Sequence, residues 1–148
     1  RALSLSVAEN FETRGAADFA EEYVTVPGRL TFKQKDPRGW AGFVSRLQEH
    51  SDIGSALTQR GVQASRPGLW DLEDKIRAIS VPSMIVTGDD DQRCLAPGLF
   101  MKDLIEGSRL FVMPHTGHVL NLEEPKLFNT VLQEFLDDVE AGKGLVRG

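Results

Sequence analysis

Two short apolar runs constrain this chain more than any other feature: Met84-Ile85-Val86, closed by Gly88 and three aspartates, and Arg109-Leu110-Phe111-Val112-Met113, closed by Pro114. Runs of this length bounded by turn residues read as buried strands. Each is flanked by helical pattern. Leu69, Leu72, Ile76 and Ile79 mark one face of a helix that runs up to Pro82. Pro97 opens a second helix, carrying Leu99, Phe100, Leu104 and Ile105 and stopped by Gly107. The last helix starts near Glu123-Glu124-Pro125, where carboxylates suit the positive end of the helix dipole and proline suits the first turn. Its apolar face is Leu127, Phe128, Val131, Leu132, Phe135, Leu136 and Val139. Apolar strands alternating with helices predict an α/β fold with parallel strands covered on both faces. Open sheets carry about four to six strands, so two make a poor sheet and further strands are expected outside these residues.

The first 68 residues carry a different pattern, helical throughout and punctuated by Gly and Pro. Val7 and Phe11, then Phe19 and Tyr23, recur at helical spacing, and Gly15 falls where a helix C-terminal glycine would sit. Pro27-Gly28 breaks the pattern. Asp36-Pro37 offers an N-cap and a proline at the first helical position, followed by Trp40, Phe43, Val44 and Leu47 at i, i+3, i+4 and i+7. Ser51-Asp52 caps a shorter helix through Leu57, and Ser65-Arg66-Pro67-Gly68 forms a loop. The divisions expected are therefore 1–68, 69–140 and a flexible tail at 141–148.

Composition narrows the function classes. Lys plus Arg number 17 against 22 Asp plus Glu, for a net charge of −5, and no stretch gathers the basic residues on one face, which argues against nucleic acid. No window approaches the roughly 20 apolar residues of a membrane span, and no secretory leader is visible. A single cysteine, Cys94, forms no internal disulfide and suits a reducing compartment, so a cytoplasmic location is expected.

Ligands of open parallel sheets bind beyond the carboxyl ends of the strands. Both strands here end in titratable loops, Gly88-Asp89-Asp90-Asp91 and His115-Thr116-Gly117-His118, expected on one edge of the sheet. An aspartate beside a histidine, in that chain order, is what nucleophilic hydrolysis needs in such a layout: the carboxylate fixes the imidazole tautomer and stabilises the imidazolium. The bland readings are an Asp91 that caps the following loop or helix and a His118 bonded to nearby backbone. Other chemistries fit less well. His115 and His118 invite a metal pair but lack further ligands, since His50 and Cys94 complete the supply. The aspartate triplet suits magnesium and phosphoryl transfer, yet no Gly-rich phosphate loop accompanies it. Cys94 reads as a partly buried loop thiol rather than a nucleophile. No metal or cofactor is expected.

The stretch Val81-Pro82-Ser83-Met84-Ile85-Val86-Thr87-Gly88-Asp89-Asp90-Asp91, with Pro97 after it, resembles the α/β-hydrolase segment in which a strand ends in Gly-x-x-Asp. The stretch from Gly107 through Met113-Pro114-His115-Thr116-Gly117-His118 to Glu123-Glu124-Pro125 and Phe128-Asn129 resembles that family's last strand, its Gly-His and its closing helix. By position the resemblance implies that Asp91 is the triad acid and His118 the triad base, with Asp89 and Asp90 as neighbours of the acid. A weaker resemblance, from Thr58-Gln59-Arg60-Gly61-Val62-Gln63 to Arg66-Pro67, implies that residues 1–68 are the family's helical cap, or lid.

The family's nucleophile sits on Gly-x-Ser-x-Gly, ahead of the cap. None of Ser4, Ser6, Ser45, Ser51, Ser55, Ser65, Ser80, Ser83 and Ser108 has that context, and a His-Gly oxyanion loop is not present. The chain also begins Arg1-Ala2-Leu3 without methionine. The expectation is thus a cap plus the C-terminal part of an α/β-hydrolase, inactive alone, whose partner is the missing N-terminal half of the same protein. In the family that half carries serine, aspartate or cysteine. The expected substrate is a small molecule with an ester-like or related bond, and Trp40, Phe43 and Trp70 are candidates for lining its entrance, with packing in the cap core as the alternative. A noncatalytic α/β interaction module, associating through an exposed sheet edge as a homo-oligomer, is the rival reading.

Overall fold

In the structure, a computed structural model describing residues 1–143, the chain forms two units. One comprises Arg1–Val26 and Asp36–Gly68, the other Pro27–Lys35 and the chain from Leu69 onward. The second unit thus includes nine residues, Pro27–Lys35, from within the stretch expected as a cap. Of the expected tail, residues 144–148 lie outside the described residues.

The first unit is helical. Helix α1 (Ala2–Val24) is two helical stretches meeting at Gly15, whose φ of 77° is the left-handed conformation that glycine adopts without steric cost. The second stretch begins with orphaned N–H groups, and Asp52 supplies an acceptor: the Ala16 N–H donates to Asp52 Oδ1 at 2.5 Å. After the short helix α2 (Pro27–Lys35), which lies in the other unit, helix α3 (Pro37–Gln48) starts with Asp36 accepting from the Gly39 N–H at 2.8 Å. Helix α4 (Asp52–Thr58) starts with Ser51 accepting from the Gly54 N–H at 3.1 Å, and a π-helical turn, Gln59–Gln63, follows. Phe11, Phe19 and Ala56 are nearly fully buried together with Ala8 and Ala16. The Phe11 and Phe19 rings meet edge to face at 5.1 Å, a geometry that adds to the roughly 1.5–3 kcal/mol of burying such a side chain.

In the second unit the helical face expected over Leu69–Ile79 is built as a 3₁₀ turn (Leu69–Leu72) running into helix α5 (Glu73–Arg77). Leu69, Leu72 and Ile76 pack with Leu104 and Ile105, while Ile79 lies beyond the helix and is 36% exposed. Strands β1 (Met84–Gly88) and β2 (Arg109–Met113) pair in parallel, Met84 opposite Arg109 and Gly88 opposite Met113. Helix α6 (Gln92–Leu104) connects them. It begins five residues before Pro97, which therefore sits inside the helix rather than opening it. A short helix α7 (Leu120–Glu123) and the closing helix α8 (Pro125–Glu140) complete the unit.

The expectation of strands and a helix face wholly buried is corrected. Only Met113 of β2 is fully covered, Val112 is 41% exposed, and no residue of α8 is buried, Leu136 being 44% exposed. Among the described residues each strand has one neighbour, and the apolar face of α8 is partly covered, with Leu127, Phe128, Val131, Leu132, Phe135 and Val139 half-buried. No helix among them is long and apolar enough to cross a membrane.

Candidate functional site

Because Gly88 and Met113 are register partners, the loops that leave both strands start side by side at one edge of the sheet. Backbone bonds knit them together: the Asp89 N–H donates to Met113 O and the Asp90 N–H to Thr116 O, each at 3.0 Å. The approach requires glycine at position 88, where an added Cβ would stand 1.9 Å from the Thr116 carbonyl oxygen. Gly117 is under the same constraint, its Cβ position lying 2.3 Å from the carbonyl oxygen of Gly28.

At this edge Asp91 and His118 meet. His118 Nδ1 lies 2.6 Å from Asp91 Oδ2, and the two side chains differ sharply in exposure, 7% for Asp91 and 48% for His118. The carboxylate is enclosed while the imidazole still faces solvent. Asp91 occupies the N-cap position of α6, where its side chain makes no capping bond within hydrogen-bond distance. Burial acts to raise the Asp91 pKa. Hydrogen bonds from the Cys94 thiol and His118, with the attraction of His118, outweigh burial and leave the carboxyl below its ordinary value.

Cys94 stands in the first turn of α6, not in a loop, with Sγ 3.9 Å from His118 Nδ1. Burial, then its hydrogen bond to Asp91 and that carboxylate's charge, push the thiol up to about 11. It is therefore protonated near neutrality, the reverse of an activated nucleophile. Asp91, Cys94 and His118 bring three metal-ligand atoms within 4.8 Å of one another. Within the chain these atoms satisfy one another as donor and acceptor. The aspartate triplet is likewise dispersed in purpose. Asp89 Oδ1 accepts from the Thr116 N–H at 3.1 Å, that bond and one from the His115 backbone hold its carboxyl below the usual range, and Asp90 is exposed in the turn.

The aromatic candidates fall in different units. Trp40 is 4% exposed within the helical unit, its ring 6.0 Å from that of the half-buried Phe43. Trp70 belongs to the other unit, 56% exposed and stacked at 4.6 Å on Phe100.

Two contributors went unread in the sequence. The carbonyl of Gly28 accepts from the His118 N–H at 2.6 Å, so the Pro27-Gly28 pair starts α2 and braces the histidine rather than merely breaking a helix. Glu123, expected at the dipole of the last helix, is instead buried beneath the loop, and its neighbour Glu124 is the N-cap residue of α8 and pairs with Lys35 at 2.5 Å. Proline at a first helical position was the available signal for α2; no local pattern separates the roles of Glu123 and Glu124.

Parallel strands joined by a helix, with an aspartate and a histidine meeting at their carboxyl ends, fit the α/β-hydrolase fold, and the solved structures that superpose on this chain share that fold. Among solved structures, MenH from S. aureus superposes with a TM-score of 0.86 at 20% identity, over 93% of this chain and 51% of that one. An N-acyl homoserine lactone degrading enzyme gives 0.59 at 23% identity, over 88% of this chain and 54% of its own. In sequence the chain is 29% identical over 87 residues to a Bacillus subtilis protein assigned as a 2-succinyl-6-hydroxy-2,4-cyclohexadiene-1-carboxylate synthase, covering 59% of this chain and 30% of the relative. It is 30% identical over 70 residues to a proline iminopeptidase of Saccharolobus solfataricus, covering 47% and 23%. No protein-family model matches. The chain thus spans less than a third of these curated relatives and about half of the solved chains.

Proposed function

We propose that this chain supplies the acid and the base of a catalytic triad in an α/β-hydrolase enzyme acting on ester-like or related small-molecule bonds. The observation that carries the reading is the 2.6 Å contact between His118 Nδ1 and the enclosed Asp91 carboxylate, with the imidazole half exposed. With Nδ1–H donated to Asp91, the lone pair of Nε2 is left for a nucleophile's proton. His118 would take that proton during attack and return it to the leaving group, while Asp91 holds the tautomer and stabilises the imidazolium. The nucleophile would come from a segment outside these 148 residues, because no serine here has the Gly-x-Ser-x-Gly setting. The unit formed by Arg1–Val26 and Asp36–Gly68 would serve as the cap. The activities named for the relatives differ from one another, so they support the class of enzyme rather than a substrate.

A serine-reactive fluorophosphonate probe tests this division of labour. The 148-residue chain should remain unlabelled, and a longer product of the same gene that carries a nucleophile serine should be labelled. Stoichiometric labelling of the short chain would overturn the proposal.

The single neighbour of each strand among the described residues and the partly exposed face of α8 favour a second reading, a noncatalytic module that associates through its sheet edge. A monodisperse monomer by light scattering would count against it.

A further inference from the structure

His118 sits in a segment whose backbone N–H groups are met one after another. The Thr116 N–H donates to Asp89 Oδ1 at 3.1 Å and the His118 N–H to Gly28 O at 2.6 Å. The two amides that flank the histidine end on a single side chain: the Gly117 N–H donates to Glu123 Oε2 at 2.7 Å and the Val119 N–H to Glu123 Oε1 at 3.3 Å. Glu123 is 7% exposed, so its charge is met by these dipoles rather than by bulk water. A carboxylate whose two oxygens each take one of these amides holds the Thr116–Gly117 and His118–Val119 peptides, while Gly28 O holds the Gly117–His118 peptide between them, and the three bonds together set the direction of the His118 Cα–Cβ bond. An added Cβ at Gly117 would lie 3.1 Å from Glu123 Oε1, which shows how closely the loop is drawn onto this side chain.

We propose that Glu123 is a positioning residue for His118, acting as a two-pronged backbone clamp that keeps Nδ1 on the Asp91 carboxylate. Its catalytic purpose rests on the reading of His118 as the base; the clamp itself does not. Loss of the carboxylate leaves the buried Gly117 N–H and the half-buried Val119 N–H without their acceptor, a penalty large enough to let the loop shift and the Nδ1–H···Oδ2 bond open.

The test is the imidazole proton spectrum of the 148-residue chain, where an Nδ1–H held on a carboxylate gives a deshielded, slowly exchanging resonance. Glu123→Ala should raise the exchange rate of that proton about tenfold or more, or abolish the signal. Glu123→Gln, which keeps one acceptor oxygen, should recover it in part. Ile105→Ala, a core truncation in the same unit and away from the loop, should lower Tm while leaving the resonance in place. A resonance unchanged in Glu123→Ala, or lost equally in Ile105→Ala, would overturn the clamp. Should Glu123→Ala fail to fold, an unchanged signal in Glu123→Gln overturns it and a weakened one supports it. A resonance missing from the unsubstituted chain would overturn the Asp91–His118 pair itself, and the clamp with it.

Discussion

The helical unit and the helix that closes the α/β unit treat the same kind of residue in opposite ways. Phe11 and Phe19 lie on α1 and are 2% and 4% exposed, while α8 presents an equally apolar face that is only half-buried, with Leu136 44% exposed. The difference is one of opposing surface: α1 has α3, α4 and each half of itself to pack against, whereas α8 meets a sheet in which each strand has one neighbour. Amphipathic pattern therefore reports which face seeks cover, and the amount of neighbouring structure decides whether it finds any.

Truncations sharpen that contrast. Phe11→Ala should cost about 3–5 kcal/mol by urea unfolding, the range for an enclosed aromatic. Leu136→Ala, on the partly covered helix, should change stability by about 0.5 kcal/mol or less. Equal losses would break the comparison.

The carboxyl edge of the sheet sets a second contrast with α8, because it is tightly closed although the sheet is small. Gly88→Ala forces a Cβ into the Thr116 carbonyl, so a loss of about 1–3 kcal/mol or more is expected, together with loss of the His118 Nδ1–H signal. Acid should act on the same edge. Asp89 and Asp91 both have carboxyls below their ordinary values in the folded chain. Groups depressed by folding contribute stability that is complete above the unfolded pKa of about 3.9 and is lost as pH falls through the folded values. Tm should therefore hold between neutrality and about pH 5 and decline below about pH 4, less steeply in Asp91→Asn. The smallest effect is on Cys94: alkylation should be slow near pH 8, with an apparent pKa of about 11, and Asp91→Asn should lower that value by removing the carboxylate that helps raise it.

These contrasts also explain which parts of the molecule are legible in the sequence. The strands, the capped starts at Asp36 and Ser51 and the break at Gly15 are local events, set by propensity and by one side chain meeting one amide, and they appear where the pattern puts them. Asp91 and His118 are legible because strand topology brings the ends of parallel strands together whatever lies between. The membership of Pro27–Lys35 in the α/β unit, the Gly28 brace and the inward turn of Glu123 depend on contacts between residues far apart in sequence or on which of two adjacent glutamates is enclosed. No period or motif encodes that choice. Pro97 misleads for a related reason: a proline marks a helix start only by preference, and here α6 starts at Gln92 and accommodates it in the interior.

The proposed pairing of Asp91 with His118 as one acid–base unit is tested most directly by ester turnover in a product of the same gene extended to carry the proposed nucleophile. His118→Ala should lower kcat on the order of 10⁴–10⁶-fold and Asp91→Asn about 10⁴-fold, and the double variant should lose no more than His118→Ala alone, because residues that act as a unit are not additive. Turnover that survives His118→Ala, or losses that multiply in the double variant, would contradict the account.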